Sequence, residues 1–224
     1  VGGTVLLGAN VTTTGSQSYG DAVQLLGDTT LAGSTLNLGN GLEGAGKSLA
    51  LNFAGTTALD GSLANLIDLS SDGAVTLNGT IETSGNQTYR SSATLLGDTN
   101  LSGSTLSLAS GVNGAGNSLL LNFTNTTALD GSFTNLDDLS SVGAVTLNGS
   151  ITTTGDQTYS GSVTLVGDTS LDGSVGTFVQ GVAGNNHSLT FAFTGGQTAI
   201  GGGFANIQTL TALTSVSLNG AVQT

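Results

Sequence analysis

Gly85-Asn86-Gln87-Thr88-Tyr89 opens the stretch that decides the fold, because it recurs at a fixed distance. Gly15-Ser16-Gln17-Ser18-Tyr19 lies 70 residues before it, and Gly155-Asp156-Gln157-Thr158-Tyr159 lies 70 after it. The same spacing relates Asp28, Asp98 and Asp168 in three Gly-Asp-Thr triplets, and Phe53, Phe123 and Phe193. A fixed internal period of this kind marks a chain built by stacking one unit on the next. The units run over residues 15–84, 85–154 and 155–224, and residues 1–14 repeat the close of a preceding unit. Val5-Leu6-Leu7 aligns with Val75-Thr76-Leu77 and Val145-Thr146-Leu147, then at a spacing of 71 with Val216-Ser217-Leu218. One residue is therefore inserted between Phe193 and Phe204, where a loop is expected. The chain starts and stops in mid-pattern and reads as a segment of a longer one.

Within each unit the period is 2. In Ser48-Leu49-Ala50-Leu51-Asn52-Phe53, the residues Leu49, Leu51 and Phe53 fall on one face. Leu119, Leu121 and Phe123 repeat this, as do Leu189, Phe191 and Phe193, while Ala50, Leu120 and Thr190 face the other way. That alternation predicts half-buried strands. Val23/Leu25, Ala93/Leu95 and Val163/Leu165 follow the same rule around Gln24, Thr94 and Thr164. Gly, Asn, Asp and Ser clusters supply the turns. No stretch has helical periodicity, and the strong helix formers Glu, Lys, Arg and Met are scarce or absent.

Short strands in an internal repeat suit a propeller, a sandwich array or a solenoid. A propeller blade is about 40–50 residues and a sandwich domain about 100, so neither fits this unit. A β-solenoid does. The anchors Val75, Ala93, Leu119 and Val145 give steps of 18, 26 and 26, read as about three coils per unit, some with an excursion such as Thr127-Ala128-Leu129-Asp130-Gly131. Nine or ten coils at about 4.8 Å make a rod of about 45 Å.

Composition narrows the function. The 224 residues include 37 Gly and no Pro, Cys, Met or Trp; 7% are charged and the net charge is -12. Lys47 and Arg90 are the only fixed cations, too few to neutralise a phosphate backbone, so nucleic acid is not an expected partner. No run of 18 apolar residues spans a bilayer. Without cysteine there are no disulfides and no thiolate metal sites.

The run 146–159, Thr-Leu-Asn-Gly-Ser-Ile-Thr-Thr-Thr-Gly-Asp-Gln-Thr-Tyr, followed by Val-Thr-Leu-Val-Gly-Asp-Thr-Ser-Leu at 163–171, resembles the repeat regions of filamentous-haemagglutinin-like bacterial surface adhesins. The likeness extends over essentially the whole chain. It implies export by two-partner secretion and a right-handed parallel β-helix, so that, with the period read above, the expected fold is all-β, a right-handed parallel β-helix (β-solenoid) of 70-residue repeats with about three coils each. It carries over no catalytic residues.

Several motifs invite chemistry. Gly41-Leu42-Glu43-Gly44-Ala45-Gly46-Lys47-Ser48 matches a phosphate-binding loop, and Gly39, Gly41 and Gly44 match a dinucleotide fingerprint. Both need a helix to follow, whereas Leu49–Phe53 alternates as a strand, and Lys47 becomes Asn117 and then His187 in the other units. The expected structure is a turn. A glycosidase pair needs carboxyls about 5–9.5 Å apart. The repeating aspartates would stand about three coils, roughly 14 Å, apart. Asp137-Asp138 would point to opposite faces of a strand. The Gly-Asp-Thr aspartates are expected to make side-chain-to-backbone turn bonds. Calcium repeats of the Gly-Gly-x-Gly-x-Asp kind are absent. His187 stands alone, and Tyr19, Tyr89 and Tyr159 are expected to pack or bond at corners rather than stack sugars. Thr12-Thr13-Thr14 and Thr152-Thr153-Thr154 recur once per unit, not once per coil as an ice-binding array requires. Asn122-Phe123-Thr124 and Asn125-Thr126-Thr127 are glycosylation sequons.

The expectation is a structural protein and not an enzyme: an adhesin shaft at the bacterial cell surface or outside it, with no catalytic, cofactor or metal residues. Its expected partners are further repeats of the same chain at both ends, host or matrix carbohydrate or protein, and other copies by lateral or end-to-end association. Carbohydrate binding or cleavage on one face, and self-assembly into a filament, are the alternatives.

Overall fold

In the coil that follows Leu63, Leu69 and Val75 each begin a new straight segment before Ile81 returns to the starting side. The chain thus winds in three-walled coils, each wall a short strand with inward residues two apart and a corner between walls. The structure, a computed structural model, describes residues 3–196, 198–218, 221 and 223. Its 22 strands pair only in parallel, and it contains no helix among the described residues. The β-solenoid reading holds.

One wall can be followed from end to end. Val5 stacks on Val23, then Leu42, Leu63, Ile81 and Leu101. The stack continues through Leu121, Ser141, Tyr159, Phe178, Ile200 and Leu218. That is eleven coil steps, a rod of about 53 Å. A coil is 18 residues at its shortest (Val5 to Val23) and 22 at its longest (Phe178 to Ile200).

Coils this short change the count per unit. Ala93 stacks on Val112, not Leu119, so only the first of the steps 18, 26 and 26 is a coil. Thr127 to Gly131 is no excursion: Ala128 sits in register between Ser107 and Thr146. Three coils from Val5 end at Leu63, and Val75 lies 12 residues into the 18-residue coil from Leu63 to Ile81. A 70-residue unit therefore spans about three and two-thirds coils. Equivalent residues consequently fall on different walls. Leu49 shares a wall with Leu106, Leu119 with Gln157, and Leu189 is reached from Ile151's wall through Thr169.

The core is the stack of inward residues. Leu49, Leu51 and Phe53 are buried, as are Leu119, Leu121 and Phe123 and Leu189, Phe191 and Phe193, while Leu120 is 39% exposed. In the third unit Tyr159 stacks on Phe178 with ring centroids 5.0 Å apart, and Phe191 packs tilted against Phe178 at 5.4 Å. The inserted residue falls between the strands ending at Phe193 and starting at Thr198, at a corner.

Polar groups also point inward. Thr57, Thr127 and Thr198 are fully buried, and their hydroxyls have no hydrogen-bond partner among the described residues. Thr127 sits between Leu106 and Val145 in its stack. An unpaired buried hydroxyl costs about 1–3 kcal/mol. Thr127→Val, of nearly the same shape, is expected to raise stability by about 1 kcal/mol or more in urea denaturation; a loss of stability would show that the hydroxyl is bonded.

Candidate functional site

The segment resembling a phosphate loop is a corner. Leu42–Phe53 is one continuous strand that bends at Ala45 and Gly46, both in the left-handed region (φ 50° and 70°). No helix follows, so no row of free N–H groups faces outward. The Ser48 N–H, which a phosphate would need, donates to Asp28 Oδ1 at 2.9 Å, and the Ala45 N–H donates to Glu43 Oε1 at 2.9 Å. Two carboxylates thus hold the positions where an anion would dock. Lys47→Asn, which imitates Asn117, is expected to change stability by no more than about 0.5 kcal/mol. Titration with ATP and magnesium should give no saturable signal, and a signal lost in that variant would overturn this assignment.

The Gly-Asp-Thr aspartates bond to backbone, but not in their own turn. Asp28, Asp98 and Asp168 accept the N–H of Ser48, Ser118 and Ser188 at 2.9, 2.9 and 2.8 Å, each in the next coil. The threonine makes the local bond: Thr29, Thr99 and Thr169 donate to Gly27, Gly97 and Gly167 carbonyls at 2.9–3.0 Å. These aspartates therefore staple coil to coil. They stand about three and two-thirds coils apart and on different walls, not three coils apart on one.

Asp137 and Asp138 do not point to opposite faces. Both are exposed, because they form a corner between buried Leu136 and Leu139. Asp138 Oδ1 accepts the Asp156 N–H at 2.6 Å and Asp137 Oδ1 accepts the Thr154 hydroxyl at 3.1 Å. Each carboxylate has its own structural bond.

Two shallow grooves recur with the repeat. One, of about 290 Å³, lies along Thr80, Asn100 and Leu120 between Asp98 and Asp138. Its equivalent, of about 330 Å³, lies along Thr30 and Ala50 between Asp28 and Asp68. The third copy has Thr209 in place of the second aspartate. Both grooves are open and lined by no His, Lys or Arg, and one oxygen of each aspartate accepts a backbone N–H. The arrangement suits a weak polar contact. Sequence reading missed these grooves, since their walls come from residues about 20 apart.

The Gln-x-Tyr motif is internal. Gln87 and Gln157 are fully buried, and so are Tyr89 and Tyr159, so the tyrosines are not a sugar-stacking surface. Tyr89 and Tyr159 donate to Gln87 and Gln157 Oε1 at 3.1 and 2.9 Å. Gln87 Nε2 donates to the carbonyls of Ile81 and Ser102 at 3.1 and 2.9 Å, tying two coils together. Tyr19 makes the same bond to Gln17 at 3.0 Å but is less buried. Burial pushes the phenol pKa up in all three, most in Tyr89 and Tyr159.

The remaining charges lie apart. Arg90 pairs with Asp72 at 2.7 Å on the surface, and His187 Nδ1 is 3.9 Å from Asp168. Among the described residues no three His, Asp or Glu side chains converge as a metal site. Among the described residues no helix is long and apolar enough to cross a membrane. Outward threonines form no regular pairs: one wall shows a single small residue per coil, Thr30, Ala50, Ser70, Thr88, Ser107 and Ala128 in turn. Asn122 and Asn125, the sequon asparagines, are exposed. Comparison with protein-family models, with curated proteins and with solved structures finds no match.

Proposed function

We propose that this chain is a stretch of the shaft of an exported bacterial adhesin or cell-surface fibre, holding a binding region away from the cell. The supporting observation is the uninterrupted stack of eleven coils around one apolar core. Such a stack grows by simple addition, because each coil contacts only its neighbours. One more unit adds about 18 Å of reach. The resemblance of residues 146–171 to filamentous-haemagglutinin-like repeats supports export and adhesion, with the shaft as a structural element and not an enzyme. The test is antibody labelling of intact cells that make the protein. Labelling before lysis is the expected result; labelling only after lysis would overturn the reading.

The paired grooves beside Asp98 and Asp28 favour a second reading, carbohydrate binding on the shaft itself. A panel of polysaccharides separates the two: a shaft neither binds nor degrades them, whereas binding lost in Asp98→Asn would place a ligand in the groove.

A further inference from the structure

Three observations bear on how the rod responds to force. Strands pair in parallel from coil to coil, so the ladder bonds run along the rod axis. No side-chain hydrogen bond among the described residues spans more than 22 residues, the length of the longest coil. The chain has no cysteine, so no covalent link bridges coils.

Tension applied at the two ends pulls on the outermost coils. Each of these is held to the rod by one interface only. Its ladder bonds lie parallel to the pull and are loaded one after another as the strand lifts away. Removing that coil leaves the next in the same position, with its interface to the rest intact. A domain with a single shared core behaves otherwise, because opening one edge exposes the whole core. Here the core is a column, and losing a coil uncovers one layer of it.

We propose that the solenoid is a tether that lengthens stepwise, shedding one coil at a time under tension while the remaining rod stays folded. The inference goes beyond the shaft reading and stands on the fold alone. Each event frees 18–22 residues, a gain of about 55–75 Å once the lost rod height is subtracted. The experiment is single-molecule stretching of the purified chain through handles at its two termini. A series of events with that spacing is the expected record. One event releasing on the order of 600–700 Å would overturn the proposal, and so would events of about 215–235 Å, which would make the 70-residue unit the element that yields.

A cross-link supplies an independent readout. Thr88 and Ser107 are stacked partners on the outside of one wall. Neighbouring strands stand about 4.8 Å apart, within disulfide reach. The Thr88→Cys/Ser107→Cys variant, oxidised, should show one event fewer and end about 60–70 Å shorter, and reduction should restore the missing event. An unchanged number of events after oxidation would sink the coil-by-coil mechanism.

Discussion

Phe123→Ala is expected to cost about 3–5 kcal/mol, the range for a buried aromatic residue. The reason lies in what surrounds the ring. Phe123 is 1% exposed and stacks on Gly103 in the coil below. A Cβ built on Gly103 would stand 3.1 Å from the Phe123 ring, so the ring occupies the space that a side chain there would fill. Remove the ring and the floor of the cavity is the Gly103 backbone, held in its parallel ladder, with the Thr83 hydroxyl beside it. Gly103 has no side chain to fill the space, and cavities that cannot collapse cost the most. The same pair recurs as Phe53 over Gly33 and Phe193 over Gly173. Phe53 lies closer to an outer coil and should cost less. Phe193 keeps close to Phe191, with centroids 6.0 Å apart, and should cost at least as much as Phe123. Urea midpoints of the three variants test the order. Hydrogen exchange should be slowest around Leu119 to Phe123 and faster in the outer coils; fastest exchange in the middle would defeat the nearest-neighbour picture.

Alkali should unfold the protein steeply. Tyr89 and Tyr159 are fully buried and each donates its hydroxyl to a buried glutamine. Burial raises both phenol pKa values above the unfolded value of 10.0. The folded state therefore binds these protons more tightly than the unfolded chain. Their contribution is complete below pH ~10 and is lost as pH rises above it, toward the folded pKa values. Each tyrosine then removes about 1.4 kcal/mol per pH unit, so the pair removes about 2.7. Tyrosinate absorbance and circular dichroism, followed together, report the outcome. Tyr19, less buried, should ionise first, and Tyr89 and Tyr159 should ionise together with the loss of strand signal. Ionisation of all three while the sheet remains intact would contradict the buried network.

Much of the fold was legible because the inward residues repeat. Leu49, Leu51 and Phe53 alternate with small or polar neighbours, and the pattern survives in every unit, so face and strand could be read off directly. The length of the coil could not. Each wall has the same kind of inward pair, but some pairs are polar: Gln87 shares a stack with Leu69 and Leu106, and Thr127 stands between Leu106 and Val145. The anchors Ala93, Leu119 and Val145 stand on three different walls, and the true coil partners of Ala93, Val112 and then Phe133, are equally apolar, so the apolar pattern alone gives no coil length. The aspartate staples were hidden for a different reason. Asp98 bonds the backbone of Ser118, twenty residues on, and a local motif gives no sign of a partner at that distance. The grooves share this origin, since their linings come from successive coils.

The mismatch between unit and coil makes the unit a rotary step as well as a linear one. Adding or deleting one copy turns everything beyond it by two thirds of a revolution, and only three copies together restore the original heading. Loss of residues 85–154 would join Ser84 to Gly155 without disturbing the pattern of either. The shortened rod would still close its ladders, yet whatever it carried at its far end would face another way. Copy number in such a chain sets azimuth along with height, so variants differing by a single unit would aim their cargo in three distinct directions.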